Sequence, residues 1–388
     1  MRIVPSFVTQ WKNAFNFNSL SKNSKSIVVY SEGKPSAPHL GPLMQKLIDR
    51  GHTIQLLMSD KHDPLSGLTA PDAKVVSHWI GSGSARTWVY SSLQASVFVT
   101  TTPDLETMQL KRSKHNTYYI YTHHSMISTH MGYRPGAFDH FDAIFCTGPY
   151  QVAETRVHES KNKLPAKKLV EVGYFRLDEL RRSSEVRTHG DVSSKQPSLT
   201  TVLLAPTWGE NSILPVYGEI IIDILLQSGY RVITRPHPET TRKSPELIQK
   251  ISDRFGANDC FELDADPTGD LGMRQASLMI SDWSGVAMEY AYGFEKPVLF
   301  IDLPRKINDP GYSQLGIEPM EVSIRNEIGK VVPPEKIPEL PTEIADLLSE
   351  DSRLIDDIRS SRANQVFNQG TSASIGANFI EEIVDIRS

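Results

Sequence analysis

The sequence predicts an α/β protein of two Rossmann-like lobes, each built on a parallel sheet and facing its partner across a central cleft. Three observations predict this. At 388 residues the chain exceeds the size at which a single hydrophobic core keeps growing. Short, unbroken apolar runs alternate with helix-compatible stretches in both halves, the pattern of strands covered on both faces. Between the halves, residues 183–198 turn polar and the stretch RTHGDVSSKQPS has no hydrophobic periodicity, which marks a linker.

In the first half, residues 26–31 (SIVVYS), 53–59 (TIQLLMS), 74–78 (KVVSH), 96–100 (SVFVT), 118–122 (YYIYT) and 142–146 (DAIFC) read as strands. Between the first two, residues 41–50 (GPLMQKLIDR) place Leu43, Met44, Leu47 and Ile48 on one helical face, and Gly51 is a natural stop. This is a βαβ unit. After the linker the pattern restarts with strands at 201–205, 231–235, 277–281 and 297–302, and helices at 216–228 and 246–255. The tail from residue 341 is helical in pattern, and residues 360–386 are long enough to fold back across the lobes.

Composition excludes several classes. Hydrophobic residues make up 39% and charged residues 22%, an ordinary globular balance. A net charge of −5 argues against a general nucleic-acid binder, which needs a basic surface. The two cysteines, Cys146 and Cys260, lie in or beside apolar runs and read as reduced, buried thiols. No CxxC or HExxH spacing occurs, so no metal site and no cofactor are expected. No apolar run approaches the ~20 residues that span a bilayer, and no leader pattern is visible, so a cytoplasmic location is expected. Residues 1–26 nevertheless carry Arg2, Lys12, Lys22 and Lys25 without an acidic residue, with Phe7, Val8, Trp11 and Phe15 at helical spacing. Such a segment either packs its aromatics on the body or lies on an anionic membrane surface.

The chemistry concentrates at strand ends in the second half. Ser281-Asp282-Trp283-Ser284-Gly285 follows a strand and opens a helix-compatible run, so its N–H groups and the positive end of the helix dipole suit an anion. Ser284 adds a hydroxyl and Gly285 allows close approach to the backbone. The plain alternative is a helix capped by Asp282 or Ser284 without any ligand. Arg235-Pro236-His237-Pro238-Glu239 ends another strand. Its prolines stiffen a loop from which Arg235 offers a fork for phosphate and His237 a hydrogen bond or proton, unless Arg235 is paired to a nearby carboxylate. Thr207, in Ala205-Pro206-Thr207-Trp208, is a further candidate phosphate or base contact; Trp208 reads as packing.

In the first half, Thr122-His123-His124-Ser125 follows the strand YYIYT. Adjacent residues there point to opposite faces, so one site uses one histidine; His124 is the candidate general base, with His123 and Ser125 in support. His130 is a weaker candidate. Glu32, in the turn SEGKP, sits where it could touch an acceptor, although GKP lacks P-loop spacing. The basic run KRSK at 111–114 reads as a solvated face.

Together APTW (205–208), RPHPE (235–239) and SDWSGVAMEYAYGFEKPVLFID (281–302) resemble the C-terminal lobe of the CDP-glycerol glycerophosphotransferase family, which includes teichoic acid polymerases. HHS at 123–125 resembles that family's tryptophan-histidine-glycine turn, and GYFRLD at 173–178 its GxxRxD segment. The resemblance implies a GT-B fold and transfer of an alcohol phosphate, such as glycerol phosphate, from a CDP-linked donor to a hydroxyl of a polysaccharide or lipid-linked acceptor, with release of CMP. It implies His124 as the base or a cleft residue, His237 as pyrophosphate ligand, and the turn Ser281–Gly285, with Asp282 and Ser284, as a diphosphate cradle; the donor-binding segment as a whole runs on to Glu289. The chain departs from the family where Ser125 replaces glycine, where a lysine a few residues later is absent, and where Gly285 replaces a second serine. On this basis residues 1–185 form the acceptor-side lobe, 186–198 the linker, 199–358 the donor lobe and 359–388 a helical segment crossing back. A nucleotide-sugar glycosyltransferase is the rival reading. A non-catalytic nucleotide-binding protein and a sugar epimerase follow, the latter lacking a clear set of cleft carboxylates.

Overall fold

The computed structural model describes residues 5–108, 110–187, 199–266, 268–349 and 351–387. Eight strands form the first sheet: β1 (Ile27–Ser31), β2 (Ile54–Met58), β3 (Thr69–Ala70), β4 (Ala73–Trp79), β5 (Val97–Thr100), β6 (Tyr118–Thr122), β7 (Ala143–Cys146) and β8 (Lys168–Glu171). Six form the second: β9 (Thr201–Leu204), β10 (Arg231–Thr234), β11 (Phe261–Leu263), β12 (Leu278–Ser281), β13 (Val298–Ile301) and β14 (Gly329–Val332).

The spatial orders are β3-β4-β2-β1-β5-β6-β7-β8 and β11-β10-β9-β12-β13-β14. Every pairing is parallel except the short β3–β4 ladder. Both sheets therefore reverse direction of winding beside their first strand, at β1/β5 and at β9/β12. In open α/β sheets, the crevice at the carboxyl ends of such a pair is where ligands bind. The two Rossmann-like lobes form the GT-B arrangement.

The central strands β1, β2, β5, β7, β9, β12 and β13 are buried along their whole length, which is why they read as continuous apolar runs. The strands that sequence patterning missed are the unusual ones. Strand β3 has two residues, those of β8 are half-exposed, β11 has three residues, and β14 begins with a glycine. Gly329 is required by a close approach, since the Val298 carbonyl oxygen lies 1.7 Å from where its Cβ would be.

The first helix of the βαβ unit, Ala37–Asp49, starts four residues before the expected Gly41 and buries Leu43, Met44, Leu47 and Ile48 as their spacing predicts. The chain leaves the first lobe along the helix Phe175–Arg187. The polar stretch expected as a linker lies outside the described residues from position 188 on. At the other end the helix Asp351–Gln365 lies on the second lobe, where Ile358 joins the core and Ser361 bonds Tyr292. The helix Ser372–Arg387 returns to the first lobe, burying Ala377, Phe379, Ile380 and Ile383 in its core. Asp178 anchors this return by accepting hydrogen bonds from the Gly370 and Ser372 N–H groups and the Ser372 hydroxyl, which caps the last helix.

Candidate active site

The loops after β9, β10 and β12 meet at the switch point of the second sheet. Asp282 organises them. Its buried carboxylate accepts from the backbone N–H groups of Thr207 (2.7 Å), Ile213 (3.1 Å) and Trp283 (2.7 Å), tying three segments together. Burial raises its pKa, and those three N–H groups and then Lys306 oppose the rise. Ser281 is fully buried and donates to the Ala205 carbonyl oxygen. Both residues, expected to touch a donor, instead hold the backbone that shapes the pocket.

Fixing Asp282 in this way leaves the next helix, Val286–Phe294, without any side-chain cap. The plain capping alternative therefore does not apply. Ser284, only 8% exposed, stands at this uncapped end, and its hydroxyl has no hydrogen-bond partner among the described residues. Orphan N–H groups, a helix dipole and a free hydroxyl together can accommodate an anion.

Across the β10 loop, His237 caps the helix Pro238–Lys243 by accepting from the Glu239 N–H through Nδ1 at 3.1 Å. Nδ1 is thus unprotonated, and the neutral ring carries its proton on Nε2. Burial first, and then Lys306, push its pKa down to about 4. Arg235 behaves differently from the phosphate fork expected of it. Its Nε and Nη2 both donate to Asp264, so the guanidinium stiffens the loop and retains only Nη1, buried and unpartnered among the described residues.

Sequence reasoning missed Lys306. Its Nζ lies 3.2 Å from Thr207 Oγ1 and 3.8 Å from the centre of the Trp208 ring, and Lys243 covers the same ring at 3.9 Å. Among the described residues no carboxylate lies within ion-pairing distance of Lys306, and burial lowers its pKa to about 8. Trp208 therefore supports two cations rather than merely filling space. The sequence held no signal for Lys306, which follows β13 by five residues in an irregular loop.

From the opposite lobe, the turn after β6 brings His124 to the cleft. Its Nδ1 lies 3.1 Å from the Thr101 carbonyl oxygen, which can only accept, so Nδ1 carries the proton and Nε2 keeps its lone pair. Burial lowers its pKa, while the Thr101 bond and Glu289 raise it. His123 points away into an aromatic nest of Tyr121, Tyr133 and Phe138, with neither ring nitrogen bonded and its pKa pushed down by burial to about 3. His130 instead bonds the Ile317 carbonyl at 3.0 Å and faces Glu154, joining the lobes away from the crevice.

Glu289 does not stand free. Tyr174 (2.8 Å) and the Arg176 Nε (2.6 Å) each occupy one of its oxygens, and Tyr174 also meets His39 at 3.1 Å, whose ring lies 6.3 Å from that of His124. Glu32 is open to solvent within the cleft; crowding by surrounding protein, and then the charge of Glu239, raise its pKa, with Arg86 opposing. Lys34 beside it reaches Asp266 of the other lobe at 3.0 Å. The basic run at 111–114 is structural, since Arg112 pairs with Asp142 and lies over Tyr119. Among the described residues no cluster of metal-ligating side chains occurs.

Ser125 and Gly285, two of the positions that depart from the family pattern, touch across the cleft. A Cβ on Gly285 would lie 2.0 Å from Ser125 Oγ.

The sequence matches the family described as CDP-Glycerol:Poly(glycerophosphate) glycerophosphotransferase over residues 69–304, more than half of the chain. No curated protein sequence matches. Among solved structures, the wall teichoic acid polymerase TagF with CDPG aligns with a TM-score of 0.61 at 14% identity, over 97% of this chain and 94% of that one. The UDP-GlcNAc 2-epimerase of Neisseria meningitidis bound to UDP-GlcNAc aligns at 0.57 and 14% identity, over 92% and 99%. S. aureus MnaA with UDP aligns at 0.56 and 13%, over 93% and 97%. These structural likenesses concern the fold; the family match concerns the sequence itself, and the chain belongs to the CDP-glycerol:poly(glycerophosphate) glycerophosphotransferase family.

Proposed function

From that membership we propose that this protein transfers glycerol phosphate from a CDP-linked donor to a hydroxyl of a polysaccharide or lipid-linked acceptor, releasing CMP. The observation that carries the reading is the pairing of an uncapped helix end and the unpaired Lys306 in one lobe with a free imidazole nitrogen in the other. The donor diphosphate lies at the first turn of Val286–Phe294, taking hydrogen bonds from its N–H groups, Ser284 and His237 Nε2–H, with Lys306 supplying charge. His124 Nε2 removes the acceptor hydroxyl proton as that oxygen bonds to the phosphorus bearing glycerol. The bond from this phosphorus to the bridging oxygen breaks, and CMP leaves with the electron pair. The developing charge on CMP is met by groups already in place. At its lowered pKa His237 is neutral in the free enzyme, so it acts as a hydrogen-bond donor rather than an imidazolium acid. The proposal uses no metal or cofactor.

Among the described residues no helix is long and apolar enough to cross a membrane. The helix Ser6–Asn18 exposes Phe7, Val8 and Phe15 and contains no acidic residue. Trp11 and Phe15 pack on Trp88, and Ala14 and Phe17 are buried, so one face docks on the body. We assign the other face to the cytoplasmic membrane surface, where a lipid-linked acceptor resides.

Purified protein given CDP-glycerol and a soluble oligosaccharide or lipid-linked acceptor is expected to release CMP in proportion to acceptor extended. Thermal stabilisation by UDP- or GDP-sugars and not by CDP-glycerol would overturn the reading in favour of glycosyl transfer.

A further inference from the structure

The contact between Ser125 and Gly285 joins the two lobes at the point where the donor phosphates are assigned. Ser125 belongs to the turn after β6 and immediately follows His124. Gly285 is the residue from which the helix Val286–Phe294 starts, and its φ of −60° is accessible to any residue. The cost of a side chain here is therefore steric, not conformational, and is set by how far the Ser125 hydroxyl can turn aside. A Cβ there would lie 2.0 Å from Ser125 Oγ and 3.3 Å from Ile127 Cγ2, and the first of these separations is one that real atoms do not adopt. The hydroxyl of Ser125 thus occupies the volume that a side chain at 285 would fill, beside the unpartnered Ser284 and the uncapped helix end. Among the described residues Ser125 Oγ makes no hydrogen bond.

We propose that the phosphate cradle is completed by both lobes, with Ser125 delivering across the cleft a hydroxyl that the donor lobe itself lacks at position 285. The inference rests on the donor reading given above. Its consequence is coupling. The lobe that carries the general base also carries a donor ligand, so the closure that gives full donor affinity through Ser125 also brings position 124 to the cradle. Gly285 is the recess that permits this closure.

The experiment compares wild type with Ser125→Ala, Gly285→Ser and the exchange variant Ser125→Gly/Gly285→Ser, measuring CDP-glycerol affinity by calorimetry, CMP release, and melting temperature as a check of folding. Ser125→Ala removes only the hydroxyl, and is expected to weaken CDP-glycerol binding about tenfold, the size of one hydrogen bond to a charged group. Gly285→Ser alone is expected to lose turnover by about a hundredfold through steric opposition to closure. The exchange variant, which returns the hydroxyl from the donor lobe and clears its space, is expected to regain turnover to within about fivefold of wild type. If wild type binds CDP-glycerol but Ser125→Ala binds it equally well, or the exchange variant is no better than Gly285→Ser, the two-lobe cradle is wrong while the donor reading stands. Failure of wild type to bind CDP-glycerol overturns both.

Discussion

The turn after β6 and the turn after β10 both present a histidine to the same cleft, yet in opposite tautomers. At His124 a carbonyl acceptor, Thr101 O, takes the Nδ1 proton and leaves Nε2 basic. At His237 an N–H donor, that of Glu239, occupies the Nδ1 lone pair and leaves Nε2 protonated. Two identical side chains thus become a proton acceptor and a hydrogen-bond donor, and the difference is set by one backbone group beside each ring, the Thr101 carbonyl after β5 and the Glu239 N–H in the β10 turn. The surroundings follow the same division. The β6 turn holds neutral groups, whereas on the donor side Lys306 and Lys243 gather over Trp208, Asp282 and Asp264 are already engaged, and Glu239 pairs with Lys243, which leaves Lys306 as the cation without a carboxylate partner among the described residues. A site for anions is recognised less by how many cations it has than by which cations remain unpaired.

The largest effect expected to test this division is the loss of the base. His124→Ala should lower CMP release by about a thousandfold, with CDP-glycerol affinity within about fivefold of wild type, because a base acts in the transition state. An equal loss of affinity and turnover would break the distinction between the two turns.

Removing Lys306 comes next. Lys306→Ala should weaken CDP-glycerol binding by about ten- to a hundredfold, as for a lost hydrogen bond between charged groups. With its pKa lowered to about 8 by burial, Lys306 is charged below that pH and loses its charge above it. Donor affinity in wild type should accordingly decline as pH rises through about 8, and Lys306→Arg, permanently charged, should abolish that decline. Calorimetry from pH 6 to 9 reads both arms.

A smaller effect concerns stability. His123, His78 and His237 are held neutral by burial at about 3, 4 and 4. Because these folded values lie below the unfolded value near 6.5, the unfolded chain binds more protons, and stability is fully present above pH 6.5 and lost as pH falls toward 4. The melting temperature should drop by about 5 °C between pH 7 and 5. His123→Phe should lessen the drop without the loss of turnover expected of His124→Ala. A flat profile would mean that these rings are not buried neutral.

The smallest expected effect lies farthest from the chemistry. Phe7→Glu with Val8→Glu should reduce flotation with anionic vesicles by about tenfold and leave CMP release on a soluble acceptor unchanged. Reduced turnover on the soluble acceptor would show that this helix serves the acceptor lobe's fold instead.

Much of the fold was legible because the central strands are buried on both faces, and burial of that kind can be met only by continuous apolar runs such as SIVVYS and TVLLA. The strands that escaped notice, β3, β8, β11 and β14, are half-exposed or brief and leave no such imprint. Among the candidate site residues, His124, His237, Thr207 and the turn at 284–285 were singled out by their position at strand ends, and the structure places them there. Their neighbours Ser281, Asp282, Arg235 and Glu289 were found in the same way, yet their polar atoms are taken up by Ala205, Thr207, Asp264 and Tyr174. A motif places a side chain near a site without saying what else competes for it.

By itself, then, the amino-acid sequence determined the two parallel-sheet lobes, the strand ends that carry chemistry and the family to which they belong, because each depends on local periodicity or on residues close together in the chain. Tertiary structure decided which polar groups are consumed and which remain available, the tautomer of each histidine, the arrival of Lys306 beside Thr207 across 99 residues of chain, and the meeting of Ser125 with Gly285. Hydrogen bonding saturates: an oxygen or N–H already engaged offers little to a ligand, and its partner is chosen by proximity in space.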